Sequence, residues 1–340
     1  MRLCVGFLLF MVSAAGVAQA QQDACTVRVN VLTSIPPHSL WPPDPTAGGV
    51  LPPELRITVR DLPPEAFIAR QGRRHVRIVS VETEQGPRRI VFVVTYRKAH
   101  ARAARRAQGG AGPTGVELSA ILSSARPEDS FALLAGGGPR VALPFGSSRD
   151  AIRSAMDELS HPNPDGPRGP VVLEALLDAA TWFGSPKTGD SIFLFGALSH
   201  ESRDVISQLR SALSSRRVRL FCLGGAACSG GASDPPTGES CSPLVGVSEG
   251  SGGGWQPLGY MGPKAEDYNL WLWRNEAKAL YEMATFSYVI RLARTSPHVK
   301  IDLSPEARSR LNWPRLSYPR PLPTCPPPAG PAAAGGQKKR

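Results

Sequence analysis

The run Arg89 to Val94 is apolar after its first residue and leads directly into a basic segment. Its β-branched residues are typical of a strand buried on both faces of a parallel sheet. In open α/β proteins, ligands bind beyond the carboxyl ends of such strands. The residues at this exit are Thr95, Tyr96, Arg97 and Lys98. Arginine pairs with a carboxylate or phosphate through two parallel hydrogen bonds, so this exit predicts an anion-binding site.

The basic segment continues in a pattern that favours a helix. It contains no acidic residue between positions 85 and 116, and alanine fills positions 99, 101, 103, 104 and 107. At 3.6 residues per turn, its cations gather toward one side. An apolar face made only of alanine buries little, so the helix should lie on the surface. Two interpretations stay open: a helix that is simply solvated, or an anion-binding face made by Lys98, Arg102, Arg105 and Arg106.

The first 20 residues have the pattern of a secretory signal. Arg2 precedes an apolar stretch over 3–17, and Ala18-Gln19-Ala20 fits a cleavage site. We therefore expect an exported protein, in the periplasm, at the cell surface or outside the cell, with no transmembrane segment in the mature chain. Loss of Arg2 takes the formal charge from +11 to +10. That charge favours an anionic envelope component or another protein as partner, and export argues against nucleic acid.

Five cysteines follow the predicted signal. An odd number in an oxidising compartment leaves at least one thiol unpaired. Cys222 lies in an apolar run, which predicts a buried free thiol. Cys228 and Cys241 bracket a loop rich in Gly, Ser and Pro and are candidates for one disulfide. Cys25 and Cys325, near the two ends of the mature chain, are candidates for another.

The segments that follow the strand at 89–94 alternate between predicted helices and predicted strands. Together they must position the residues at the exit of that strand. Further strands are predicted at 130–135, 140–143, 191–195 and 218–223, and helices at 116–124, 148–159, 171–183, 202–214 and 269–284. This alternation predicts an α/β fold with a doubly wound, mostly parallel sheet and helices on both faces. A small antiparallel β unit precedes it, with strands near 55–60, 67–70 and 75–81.

Composition divides the chain into consecutive parts. We predict a signal peptide at 1–20, a Pro-rich linker at 21–54, the small β unit at 55–86, the α/β domain at 87–293, a C-terminal β extension at 294–320 and a disordered tail at 321–340. Within the α/β domain, 224–264 is predicted as one long loop because Gly, Ser and Pro dominate it.

Several stretches follow the layout of a known family. They are ITVRDLPPEAFIARQGRRHVRIVSVE (57–82), RRIVFVV (88–94), VVLEALLDAA (171–180), the helix–strand units of 190–225, and LSYPRPLP (316–323). Together they resemble bacterial secreted proteins with a von Willebrand factor A-related domain, over roughly residues 55 to 320. The resemblance implies a von Willebrand A-like sheet and a non-catalytic module for protein interaction or adhesion.

The metal site of that family is degenerate in this sequence. A site for a divalent cation needs hard oxygen ligands, which the family takes from three loops. Where the family has Asp, Ser and Ser in its first loop, this chain has Thr95, Arg97 and Ala99. The later Thr and Asp align with Val171 and Gly196. Because Arg97 would repel a cation, we expect neither a metal nor any other cofactor.

The fold predicts which side chains share the cleft at the sheet's switch point. We expect Thr95, Tyr96, Arg97 and Lys98 to be joined there by Ser199, His200 and Trp255.

Two short motifs match enzyme signatures, but neither lies in the turn between a strand and a helix that its signature requires. GAGPTG (110–115) spells a phosphate loop but begins 16 residues after Val94, and GVSEG (246–250) spells a nucleophile elbow but continues into SGGGW. A hydrolase is therefore the least favoured function, after an interaction module and an electrostatic binder of anionic polymers or lipid surfaces.

The predicted signal peptide defines the N-terminus of the exported protein. We expect Gln21 to be its first residue, because the small residues at 18 and 20 fit the cleavage site. Intact-mass measurement and N-terminal peptide mapping of the secreted fraction check this. A secreted form that keeps Met1 or Arg2 would contradict it.

Overall fold

The computed structural model describes ten stretches of the chain. They are 26–35, 57–95, 113–136, 141–160, 172–195, 203–224, 243–257, 266–293, 296–311 and 314–322. No helix within these stretches is both long enough and apolar enough to span a bilayer.

Fourteen strands and seven α-helices are assigned within these stretches. The strands are β1 Thr26–Ile35, β2 Ile57–Thr58, β3 Phe67–Gln71, β4 Arg74–Val76, β5 Ile78–Thr83, β6 Arg89–Thr95, β7 Ser130–Gly136, β8 Ala142–Leu143, β9 Ser191–Phe195, β10 Arg219–Gly224, β11 Gly254–Pro257, β12 Tyr288–Ala293, β13 Lys300–Leu303 and β14 Arg315–Ser317. The helices are α1 Pro113–Ser124, α2 Arg149–Ser160, α3 Val172–Thr181, α4 Arg203–Arg216, α5 Pro243–Gly250, α6 Glu266–Thr285 and α7 Pro305–Arg310.

A six-stranded sheet in the order β11-β10-β9-β6-β7-β8 forms the centre of the α/β part. Every neighbouring pair is parallel except β7 with β8. Numbered from β6, the order is 3-2-1-4-5-6, which is the doubly wound arrangement with its switch point between the first and fourth strands.

Both faces of this sheet are covered by helices. Along β6, Phe92 faces one side and Val93 the other, because successive side chains of a strand alternate. Phe92 packs in a core with residues of α1, α2 and α6, and Val93 in a core with residues of α3, α4 and α5. The predicted fold class is confirmed.

The antiparallel strands form a second core, and they come from both ends of the chain. One sheet has the order β14-β1-β12-β5 with β2 beside β1, and a second has the order β13-β3-β4. Phe67, Tyr288 and Ile301 lie in the shared core of these sheets. The predicted unit 55–86 and extension 294–320 are therefore parts of one packed region.

The structure differs from the predicted linker at 21–54, because β1 lies inside it. Thr26 to Val31 alternate in burial and pair residue by residue with β12, from Thr26 opposite Ala293 to Val31 opposite Tyr288. The Pro-rich composition that predicted the linker belongs to residues after this strand. The predicted tail at 321–340 also starts too early, since Leu322 is 3% exposed and packs in the antiparallel core.

The predicted loop at 224–264 contains α5 and β11. The turn between them depends on glycine for close packing. A Cβ at Gly253 would lie 1.9 Å from the carbonyl oxygen of Leu220, and Gly252 has φ +82° beside Pro319. Glycine here allows the backbones of β10 and the turn to touch, whereas the composition had indicated flexibility.

This close approach predicts that Gly253→Ala lowers the melting temperature strongly, because the clash is with backbone that must shift. We expect the free energy of unfolding to fall by about 3 kcal/mol, at the upper end of the range for substitutions that overpack a core. Gly246→Ala, in the exposed face of α5 with open space around it, is the matched control. It should be neutral or stabilising by up to about 1 kcal/mol. Thermal unfolding followed by circular dichroism separates them, and equal melting temperatures would contradict the packing.

Candidate functional site

The carboxyl ends of the central strands lie side by side at the switch point. Val94 pairs with Phe195 across β6 and β9, and Thr95 pairs with Gly136 across β6 and β7. These end residues carry no charge. The basic segment follows β6 directly in the sequence.

The predicted cleft residues are distributed unevenly in the structure. Thr95 ends β6, as the sequence indicates. Trp255 lies in β11, is only 8% exposed, and pairs with Cys222 of β10. At the usual strand spacing, β11 is about 14 Å from β6, so the sheet does not bring Trp255 beside Thr95. The other predicted binding and cysteine positions lie outside the described residues: Tyr96, Arg97, Lys98, Arg102, Arg105, Arg106, Ser199, His200, Cys25, Cys228, Cys241 and Cys325.

Cys222 is a free thiol in the structure. Burial raises its pKa to about 12, because the apolar surroundings disfavour the thiolate. The thiolate is the reactive form of cysteine, so the raised pKa lowers the reactivity of Cys222 at neutral pH, and its partly buried side chain packs against the core. The two candidate disulfides stay predictions.

The serine of the GVSEG motif is also structural. Ser248 lies within α5, is fully buried, and its hydroxyl donates a hydrogen bond to the carbonyl of Val245 at 2.9 Å. A nucleophile elbow needs a serine on a sharp turn between a strand and a helix. Ser248 occupies a helix interior instead, which rules out that role.

Two buried glutamates meet where α1 packs on α6. Glu117 is 2% exposed and Glu276 is 0% exposed. Burial raises the pKa of the Glu117 carboxyl well above its ordinary value, and the nearby charge of Glu276 raises it further. A buried carboxyl pair of this kind is stable when one member keeps its proton. The sequence carried a signal for it, because Glu117 falls on the same helical stripe as Leu118 and Ile121.

The opposite, amino edge of the sheet holds a group of buried arginines. Arg88 precedes β6 and forms an ion pair with Glu84 at 2.8 Å. Its Nη2 also donates to the carbonyl of Thr285, the last residue of α6, at 2.9 Å. Arg219, at the start of β10, donates from Nη2 to the carbonyl of Ala284 at 2.7 Å. Two guanidinium groups therefore satisfy the last carbonyls of α6, which have no partner within the helix.

Burial and the neighbouring charge of Arg88 lower the pKa of Arg219 to about 10. The side chain of Arg219 is nevertheless charged at neutral pH. Gly189 makes room for Arg88, since a Cβ there would lie 2.3 Å from Nη1 of that arginine.

Arg89 points to the opposite face of the sheet from Arg88, and its guanidinium group is also fixed by several hydrogen bonds. Its Nε and Nη2 donate to the two oxygens of Asp190, at 2.8 and 2.6 Å, in the bidentate geometry that favours arginine. Its Nη1 donates to the carbonyl of Phe183 at 2.8 Å, just past the end of α3. The basic residues of the amino edge are thus used in internal contacts.

The part of the chain that the structure describes contains no group of three or more His, Cys, Asp or Glu side chains that could hold a metal ion. The segments that supply the first and later loops of the degenerate metal site fall largely outside it. At this edge the described residues therefore provide Thr95, which ends β6, and the basic segment follows it in the sequence.

Comparison with known proteins gives structural likeness alone. No protein-family model matches the chain, and no curated protein matches it. The solved structures that are similar include a von Willebrand factor type A protein from Catenulispora acidiphila, at 12% identity over 64% of this chain and 51% of that chain, with TM-score 0.39. An aerotolerance-related membrane protein from Bacteroides fragilis is similar at 13% identity over 58% and 98% of the two chains, with TM-score 0.41.

A third similar structure is proximal thread matrix protein 1 from the mussel byssus, described with a zinc-occupied MIDAS motif. It has 13% identity over 65% of this chain and 50% of that chain, with TM-score 0.38. The likeness is one of shape. The fold class given above rests on the strand order and pairing of this chain itself.

The buried glutamates predict a pH dependence of stability. Below the ordinary pKa of 4.5, Glu117 is protonated in both the folded and unfolded states. As the pH rises above that value, the unfolded chain loses the proton while the folded chain keeps it, so stability falls by up to about 1.4 kcal/mol per pH unit until the raised folded pKa is reached. Glu117→Gln removes this ionisation and should flatten the decline.

Melting temperatures measured between pH 4 and pH 8 test this expectation. The melting temperature of Glu117→Gln minus that of the wild type should increase as the pH rises. Glu158→Gln, an exposed position on α2, should run parallel to the wild type. A parallel profile for Glu117→Gln would show that Glu117 is ionised in the folded protein.

Proposed function

We propose that this protein is an exported, non-catalytic interaction module with a von Willebrand A-like fold. Its binding site is the carboxyl edge of the six-stranded sheet, at the switch point between β6 and β9. There it takes a carboxylate-bearing region of a partner protein. The observation that supports this most directly is the pairing of Val94 with Phe195, because it places the exits of the first and fourth strands next to each other.

The chemistry of the exit favours an anion. Thr95 is followed by Tyr96, Arg97 and Lys98. An arginine at the position where the family supplies oxygen ligands can bind a carboxylate directly and bidentately, without a bridging cation. A hydrogen bond of this charged kind contributes about 1.5 to 3 kcal/mol when it is shielded from water.

The internal use of the other arginines supports the same site. Arg88, Arg89 and Arg219 lie at the amino edge and are bound to carboxylates and helix carbonyls of the protein itself. They are not available to a partner. The cations of 97–106 follow the carboxyl end of β6 in the sequence, and ligands of doubly wound sheets bind beyond that end.

Two charge reversals separate a specific cleft from a diffuse basic surface. Arg97→Glu should weaken binding to immobilised poly-L-glutamate at least ten-fold, since it removes the bidentate group nearest the switch point. Arg106→Glu, which makes the same change of charge further along the segment, should weaken it less than three-fold. Biolayer interferometry at 50 and 300 mM NaCl measures both, because exposed charge contacts are screened by salt.

Equal losses in the two variants would favour the alternative function, an electrostatic binder of anionic envelope polymers or lipid surfaces through residues 97–106. Added Mg²⁺ or a chelator should change neither the affinity nor the melting temperature, because a ligand stabilises only a state that it binds. A stabilisation by Mg²⁺ that is lost in Thr95→Ala would overturn the proposal of a metal-free site.

A further inference from the structure

A second basic surface lies outside the α/β part, on the hairpin of β3 and β4. The turn between these strands passes through Gly72 at φ +59°, where glycine is favoured. All side chains from 70 to 75 in this hairpin are exposed. The cations among them are Arg70, Arg73 and Arg74, beside His75, and the exposed Arg77 follows β4.

The strand register arranges part of this charge as a row. Arg70 of β3 pairs with His75 of β4 on one side and with Lys300 of β13 on the other. Residues directly opposite each other on neighbouring strands point to the same face of the sheet. Lys300, Arg70 and His75 therefore cross the three strands in one line, at a spacing of about 4.8 Å.

The opposite face of the same sheet fixes this row in place. Ala69 and Ile301 are 2% and 4% exposed and lie in the antiparallel core with Val76 packed against it. Phe67, two residues before Ala69, contacts the ring of Tyr288 with 5.0 Å between centroids. The charged row is thus carried by a packed sheet, which holds the cations at fixed separations before any partner arrives.

The charge of this surface is not neutralised by ion pairs within the part of the chain that the structure describes. Within the described residues, no ion pair is recorded for Arg70, Arg73, Arg74, Arg77 or Lys300, whereas Asp302, the acidic neighbour of Lys300 in β13, is paired with Arg308. Like charges opposite one another on a sheet destabilise it. A bound chain of anions would relieve that repulsion at several points at once.

We propose that the β3–β4 hairpin together with Lys300 binds an acidic polysaccharide. A polymer with repeated sulfate or carboxylate groups matches a rigid row of cations, and arginine is the cation best suited to such groups. The exposed residues 70–75 of the hairpin include no Phe, Tyr or Trp on which nucleic-acid bases could stack. The exposed large apolar residues of the described chain, Val79 and Trp271, lie on β5 and α6, so the hairpin is not built to enter a lipid surface.

This surface is separate from the carboxyl edge of the central sheet, and the inference does not rest on the proposed function. The row lies on β3, β4 and β13, whereas the exit of β6 belongs to the six-stranded sheet. Variants of one surface therefore leave the other intact.

Binding of the full chain to immobilised heparin tests the inference. The double variant Arg70→Gln and Lys300→Gln, which removes the two charges that lie opposite each other in the row, should bind at least ten-fold more weakly than the wild type in 100 mM NaCl and elute at lower salt. A control with the same loss of charge replaces Arg274 and Lys278, both exposed on α6, with glutamine. It should change the affinity less than two-fold. Circular dichroism must show unchanged melting temperatures for both.

Three further results decide the matter. Arg97→Glu should leave heparin binding within two-fold of the wild type, and a loss there with an unaffected hairpin variant would overturn the inference. Equal weakening by the hairpin and control variants would reduce it to an effect of net charge. Vesicles of phosphatidylglycerol and phosphatidylcholine, or a single-stranded oligonucleotide, that bind through the hairpin more tightly than heparin would replace the polysaccharide with that partner.

Discussion

The contact between two buried guanidinium groups and the end of α6 joins the two parts of the molecule. Arg88 and Arg219 belong to the amino edge of the parallel sheet, and they bond to the carbonyls of Thr285 and Ala284. The chain then enters β12, the strand of the antiparallel sheet that lies between β1 and β5. The position of the antiparallel part relative to the α/β part therefore depends on these bonds.

Charge at this place is costly and must be compensated. Breaking a buried ion pair by removing one partner typically costs about 3 to 5 kcal/mol, because the remaining charge stays buried. Glu84 supplies the counter-charge to Arg88, and Gly189 supplies the space. The high positive charge of the sequence thus has two different uses: arginines inside the fold that satisfy helix ends, and cations on the surface that are free for anions.

The apolar runs of the sequence were enough to predict five of the six central strands and the exit at Thr95, because each of these runs is short and bounded by turn or helix signals. The sixth strand, β11, and the helix α5 before it fall in the predicted loop, where glycine and serine obscure the pattern. The antiparallel part was harder, since β1 pairs with a strand from the far end of the chain. The composition around Gly253 predicts a loop, because composition does not distinguish a closely packed turn from a flexible one. The bonds of Arg88 and Arg89 to opposite faces become visible only when both neighbours are placed in space.

The pairing of β1 with β12 also orders the events of folding. Thr26 is synthesised long before its partner Ala293. Until Ala293 has been made, β1 presents an unpaired backbone edge, which is prone to bind other chains. The antiparallel core can therefore close only after the residues between these two strands have been made. A pairing of this kind, between strands far apart in sequence, forms late in folding because a long loop must be closed first.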